Sequence, residues 1–438
     1  MLDNHETKMV QRALLVGAYI DSSAKAETES LLAELEELVD TLGIPVIERM
    51  LVFHREQHAK FLIGSGKAEE IAAHALEHKL DVIIFDNDLT PSQQRNWEKI
   101  APGVAVIDRQ EVILDIFGKR AQTREARLQV ELAKLEYSLP RLTRAWGHLA
   151  RQGGGIGGRG EGESQLEQDK RRIRNAILRC KDELKEVRSS RATQRKDRQR
   201  TPVPNAAIVG YTNSGKSSLL RRLTGADVFI EDKLFATLDT TTRKIELPNN
   251  QPLLLTDTVG FVRKLPHRLI EAFNATLEEA VIADFLIHLL DASQPEVMEF
   301  YNTTMKVLKE LGAEPKHMLV VFNKIDKVED PAIIANLRRH FPDAQFISIY
   351  NGTGIDALVE RISEYASDGS AVYELRLPSS AADVVARLHR AAKILETEYL
   401  DDGVRIVVFL SARLAADYSE YIVDRKTGRV GEQPPLEQ

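Results

Sequence analysis

The chain has 438 residues, 43% of them hydrophobic and 29% charged, with a net charge of −7 and a single cysteine, Cys180. That length exceeds one ordinary core, and one cysteine excludes an internal disulfide or a cysteine-built zinc cluster. No apolar run approaches the length of a membrane span, and the Asp3–Glu6 start lacks the basic, then apolar, pattern of a secretion signal, so a cytoplasmic location is expected.

From the N-terminus, Ala13–Gly17 reads as a strand. Leu31, Leu32, Leu35, Leu38 and Val39 then fall at helical spacing. Val46-Ile47 opens another extended run, Ala68–His78 suits a helix, and Val82–Phe85 and Val104–Ile107 are short buried strands. This alternation predicts an α/β domain over 10–110 with a mostly parallel sheet. Residues 111–200 carry helical patterns instead. Leu128, Leu132, Leu135 and Leu139 recur before Pro140, a glycine-rich stretch runs over Gly153–Gly160, and the pattern resumes from Ser164 through Leu166, Ile173, Ile177, Leu184 and Val187. Two long helices joined by a loop are expected, with the polar, basic Ser189–Arg200 as a linker closed by Pro202 and Pro204. Strand–helix alternation returns over 201–368. The remainder, 369–438, predicts a small α/β domain with a helix at Ala381–Leu395, a strand at Val404–Leu410 and a frayed end from Gly431.

Three loops in the third region carry chemistry. The strand Ala206–Val209 runs into Gly210-Tyr211-Thr212-Asn213-Ser214-Gly215-Lys216-Ser217-Ser218 and then a helix, the full phosphate-loop pattern in its strand–loop–helix setting. Glycines let the backbone wrap phosphates, amides and the helix N-terminus face the negative charge, Lys216 reaches the terminal phosphates, and Ser217 holds Mg²⁺. The Gly-Lys pair at Gly66-Lys67 lacks the upstream glycine and is read as structural. A second apolar strand, Leu253–Thr256, delivers Asp257-Thr258-Val259-Gly260, in which Asp257 serves Mg²⁺ and the Gly260 amide meets the γ-phosphate. A third, His317–Phe322, delivers Asn323-Lys324-Ile325-Asp326. The Asp326 carboxylate matches the N1 and N2 donors of guanine, which adenine lacks, and so specifies GTP.

These motifs resemble the translation-factor class of P-loop GTPases, and the overall pattern resembles the HflX family of ribosome-associated GTPases. The likeness extends to Arg120–Ala126, Leu128–Leu132, Leu139–Leu142, Gly155-Ile156-Gly157 and Ser164–Glu167, covering about residues 10–365. It implies a first switch at Phe235-Ala236-Thr237-Leu238-Asp239-Thr240-Thr241-Thr242-Arg243, with Thr237 on Mg²⁺ and the γ-phosphate, and a second at Asp257–Arg263. Lys216, Thr237 and Gly260 are the expected catalytic groups; Ser217, Thr237 and Asp257 are the expected metal ligands. Ser348-Ile349-Tyr350 stands where the family has a Ser-Ala pair against guanine. Lys264 replaces a commonly acidic residue, and Arg159–Ser164 reads R-G-E-G-E-S in place of R-G-P-G-E-T.

Phe261 occupies the position where many GTPases carry a water-orienting glutamine, which predicts slow intrinsic hydrolysis. Ser164–Arg200 holds 13 Lys/Arg against 6 Asp/Glu. Arg171, Arg172, Arg174, Lys181, Arg188 and Arg191 can meet RNA phosphates or simply pair with Glu167, Glu183 and Glu186 on a solvated face. The resemblance favours RNA. It implies a protein that binds the large ribosomal subunit and its rRNA and splits or rescues stalled or idle ribosomes. A monomer is the default expectation, no role on DNA is expected, and contact to a membrane surface is left open. A GTPase of tRNA or rRNA modification or ribosome assembly, and a GTP-sensing module that blocks subunit joining, are the alternatives.

Overall fold

The computed structural model describes residues 12–426 except 57, 145–158, 200–202, 226–233, 236–237, 239, 249–250, 265–278, 314–316, 368–369, 401, 412–414 and 416–417. The chain forms two compact units. The first comprises Met1–Arg188, Glu231–Asp239 and Val262–Ala275; the second comprises Ser189–Ile230, Thr240–Phe261 and Thr276–Gln438.

In the first unit, β1 (Ala13–Tyr19), α1 (Lys25–Thr41), β2 (Val46–Phe53), α2 (Ser65–Glu77), β3 (Val82–Phe85), α3 (Pro91–Ile100) and β4 (Ala105–Asp108) build a sheet of order β2-β1-β3-β4. Every pairing is parallel. The central strands β1 and β3 are covered on both faces, hence their unbroken apolar runs, whereas edge strand β2 exposes Ile47 and Phe53. Leu14, Val16, Ile83, Phe85 and Trp97 lie in one core. Asp108 caps α4 (Arg109–Arg120) and Thr123 caps α5 (Arg124–Ser138), each side chain accepting a backbone N–H of the first turn. The α4 helix is an element that the leucine spacing did not reveal. Leu128, Cys180 and Leu184 pack α5 against α6 (Arg159–Gln199), with Leu132, Leu135 and Val187 around them.

The Ser189–Arg200 segment is a correction, because α6 continues through it to Gln199 instead of ending in a linker. Arg, Gln, Lys and Ala are good helix formers, and no breaker intervenes before Pro202. The helix also starts at Arg159, inside the glycine-rich stretch; the rest of that loop lies outside the described residues.

In the second unit, β5 (Asn205–Gly210), α7 (Lys216–Thr224), β6 (Thr241–Glu246), β7 (Pro252–Asp257), β8 (Phe285–Asp291), α8 (Val297–Glu310), β9 (Met318–Asn323), α9 (Pro331–His340), β10 (Gln345–Phe346) and α10 (Ile355–Ser367) surround a six-stranded sheet of order β10-β9-β8-β5-β7-β6. Only β6 runs antiparallel. Parallel pairing brings the carboxyl ends of β5, β7, β8 and β9 to one edge, where such sheets bind ligands.

The C-terminal elements β11 (Ser370–Pro378), α11 (Ala382–Ala391), β12 (Lys393–Leu400), β13 (Gly403–Ser411) and β14 (Ile422–Lys426) form an antiparallel sheet of order β12-β13-β11-β14. Here the expected helix over Ala381–Leu395 is corrected: it stops at Ala391, and Leu395 lies in a strand. Asp402-Gly403 is a hairpin signal between β12 and β13, which pair antiparallel from Leu400 and Gly403, and this pairing overrides the local helical spacing.

Candidate nucleotide site

The phosphate loop begins where β5, buried between β7 and β8, ends at Gly210. Gly215 takes φ +102° at the start of α7, and a Cβ there would stand 2.6 Å from the Asn323 side-chain nitrogen, so only glycine fits. Lys216 is buried and donates to the Tyr211 carbonyl at 2.7 Å. Burial pulls its ammonium down to about 8, and Lys324 adds to this while Asp257 opposes it. The Tyr211 ring stacks on Phe300 of α8, centroids 4.0 Å apart, which fixes the loop's second residue. The hydroxyls of Thr212 and Ser214 are buried in the loop without a hydrogen-bond partner among the described residues.

Asp257 ends β7 fully buried, and its Oδ2 accepts from Ser217 Oγ at 2.6 Å. A hydroxyl and a carboxylate oxygen side by side are the hard donors Mg²⁺ takes alongside phosphates. Thr258 Oγ1 donates to Ile208 at 2.7 Å. Beyond it the chain is stitched to the phosphate loop: Thr212 donates its N–H to Phe261 O at 2.8 Å, and Phe261 donates to Gly210 O at 3.1 Å. The Phe261 side chain is 1% exposed. Gly260 presses close, since a Cβ there would lie 2.8 Å from Thr212 Cα and 3.0 Å from Lys216 Nζ.

Asn323 ends β9 and ties the base loop together, its Nδ2 donating to Ser214 O at 2.9 Å and its Oδ1 accepting from Ile349 N at 3.2 Å. Lys324 adopts φ 62°, and Ile325 and Asp326 form a single turn that leaves Asp326 exposed. Ser348 is buried and bonded to the backbone at Asn351, Gly352 and Thr353; Ile349 approaches Gly215, while Tyr350 is exposed.

The structure therefore brings 210–218, 257–260, 323–326 and 348–350 to one sheet edge. Of the residues expected in the first switch, Ala236, Thr237 and Asp239 lie outside the described residues. Phe235 and Leu238 are buried, Phe235 at φ 55° with its ring edge-on to Phe117 of α4, so any nucleotide contact from Phe235 falls to its backbone. Sequence reasoning missed Asp291, whose Oδ2 holds Lys324 Nζ at 2.8 Å and whose Oδ1 accepts from the Ser293 hydroxyl at 2.6 Å. An acid at the carboxyl end of an apolar strand is the signal that could have found it.

This fold with these loops defines a P-loop GTPase. Three family descriptions match in order: "GTP-binding GTPase N-terminal" over 29–118, "GTP-binding GTPase Middle Region" over 120–198 and "50S ribosome-binding GTPase" over 205–324. The GTPase HflX of Akkermansia muciniphila is 50% identical over 430 residues, 95% of this chain and 98% of the relative. That of Escherichia coli is 40% identical over 394 residues, 90% and 91% of the two chains. The crystal structure of a GTP-binding protein from Sulfolobus solfataricus in complex with GDP is 25% identical, with a TM-score of 0.44, covering 82% of this chain and 99% of that one. The chain belongs to the HflX family of GTPases.

Proposed function

We propose that this GTPase acts as a GTP-driven switch on the large ribosomal subunit in the cytoplasm, binding its rRNA and splitting or rescuing stalled or idle ribosomes. The match of residues 205–324 to a ribosome-binding GTPase description carries this reading. The basic α6 supports it, in that Arg171, Arg172 and Arg174 are exposed on one stretch of helix. Arg172 and Arg174 pair with Asp169 at 3.5 Å and Glu167 at 3.6 Å, and Lys181 pairs with Glu136 at 2.8 Å. Exposed pairs of this kind are worth about 0–1 kcal/mol, so an RNA phosphate can replace them. The side chains of Arg188 and Arg191 lie outside the described residues.

In this reading four segments divide the work: 10–110, 111–200 as a two-helix arm toward RNA, 201–368 as the nucleotide switch, and 369–438. Amides of Gly210–Ser218 and the Lys216 ammonium take the phosphates, Asp326 and the backbone of Ser348–Tyr350 take the guanine, and Gly260 and Thr237 take the γ-phosphate. Ser217, Asp257 and Thr237 would hold Mg²⁺, which draws charge from the β- and γ-phosphate oxygens when bound. Phe261 offers no side-chain hydrogen bond to the attacking water, so basal turnover is expected below the roughly 3–5 × 10⁻⁴ s⁻¹ of a glutamine-bearing switch.

The test is GTP hydrolysis with and without purified large subunits, with Lys216→Ala as the blank. Stimulation by subunits that the variant abolishes supports the switch. Turnover indifferent to subunits removes the ribosome from the reading and leaves the GTPase.

A further inference from the structure

Within the second unit, β8 and β9 run parallel with Asp291 and Asn323 as register partners at their carboxyl ends, and Ala292 donates its N–H to Asn323 O at 2.8 Å. A buried carboxylate therefore stands directly across from the base loop. Both of its oxygens are engaged. Oδ1 accepts from the Ser293 backbone N–H at 3.0 Å and from the Ser293 hydroxyl at 2.6 Å, and Oδ2 meets Lys324 Nζ at 2.8 Å. Ser293 thus fixes the carboxylate, and the carboxylate fixes the end of the lysine side chain. Lys324 takes φ 62°, a left-handed backbone that lysine disfavours, and the ion pair offsets that strain.

Asp326 stands two residues further on, exposed at the rim. A base read at its edge by Asp326 turns a flat face toward the chain just before it, where the Lys324 methylenes offer an apolar cover. A long side chain left to rotate has to be ordered when the base arrives, which weakens binding. With Nζ held by Asp291, the ordering precedes the nucleotide. We propose that Asp291 is a positioning residue of the base site: acting through Lys324, it holds the lysine stem as a preformed platform for the guanine face, and so favours the base without favouring one phosphate state over another. This deepens the nucleotide reading of the site and rests on it.

The test uses the full chain carrying Asp291→Asn, Lys324→Met, the two together, or Ser293→Ala, with thermal unfolding as the fold check. Affinities are measured for GDP and for a non-hydrolysable GTP analogue, with kcat and KM for GTP hydrolysis. In Asp291→Asn the amide keeps an oxygen for Ser293 and loses the charge that holds Lys324. That variant is expected to weaken GDP and the analogue alike, roughly three- to tenfold. KM should rise by the same factor with kcat kept, because a contact to the base is equal in the ground and transition states. The double variant should bind no more weakly than Lys324→Met alone. Ser293→Ala, which loosens one carboxylate oxygen, should lose about twofold in the same pattern, and it keeps the proposal testable if Asp291→Asn fails to fold. Unchanged affinities in the folded variants overturn the platform, as do a fall in kcat, a loss confined to one nucleotide, or losses that add in the double variant. Failure of the unaltered protein to bind either nucleotide overturns the reading of the site itself, and the platform with it.

Discussion

Lys216 combines burial with the phosphate-contacting role proposed for it. Its ammonium, held down to about 8 in the free protein, gains stability from incoming phosphate charge, so nucleotide binding takes up a proton above that pH. Affinity is therefore expected to be flat from pH 6.5 to 7.5 and to fall up to tenfold per unit as pH rises past 8; calorimetric titration of GDP would show it. A Lys216→Met variant that kept the same slope would assign it elsewhere. His288, on the fully buried β8, behaves in the opposite sense. Burial, reinforced by Lys216, drives its imidazole from 6.5 down to about 3, and neither ring nitrogen finds a partner among the described residues. Between those two pH values the unfolded chain binds the proton and the folded chain does not, so stability falls as pH drops below 6.5. His288→Leu is expected to flatten that decline, as read from urea midpoints between pH 7 and 5. Both effects need burial and neighbours that a sequence does not display.

At the scale of elements, legibility followed how local the determining physics is. Strands β5, β7 and β9 and their loops were readable because an apolar run bounded by Gly210, Asp257 or Asn323 has one sensible structure. The leucines of α5 and α6 were readable because their spacing is their packing. Strands β12 and β14 were not, since their pairing is decided by partners elsewhere in the chain. The destination of Arg263 and Lys264 was equally hidden: as a sequence, Lys264 was only an odd residue in a switch, and the acids that explain it lie at 34 and 86. The exposed cations of α6 yield a prediction at this scale. Replacing Arg171, Arg172 and Arg174 with Gln is expected to weaken large-subunit binding and lower its salt slope by about 2–3, as measured by pelleting across a potassium series. A slope that stays the same would mean the face is merely solvated.

Across the whole molecule, the division of labour is uneven. The Gly210–Ser218 and Asn323–Asp326 loops fall in the second unit, yet Glu231–Asp239, which overlaps the proposed first switch, and Val262–Ala275, which follows the Asp257–Phe261 loop, group with the first. The usual way to simplify such an enzyme is to excise the nucleotide-binding part and study it alone. A fragment beginning at Val203 would take Phe235 away from Phe117 and strip Arg263 and Lys264 of Glu34 and Asp86. An aromatic ring and a guanidinium, both buried in the intact chain, would pass into water. Such a fragment would still carry every residue proposed to meet guanine and phosphate, and its kinetics would belong to a different machine.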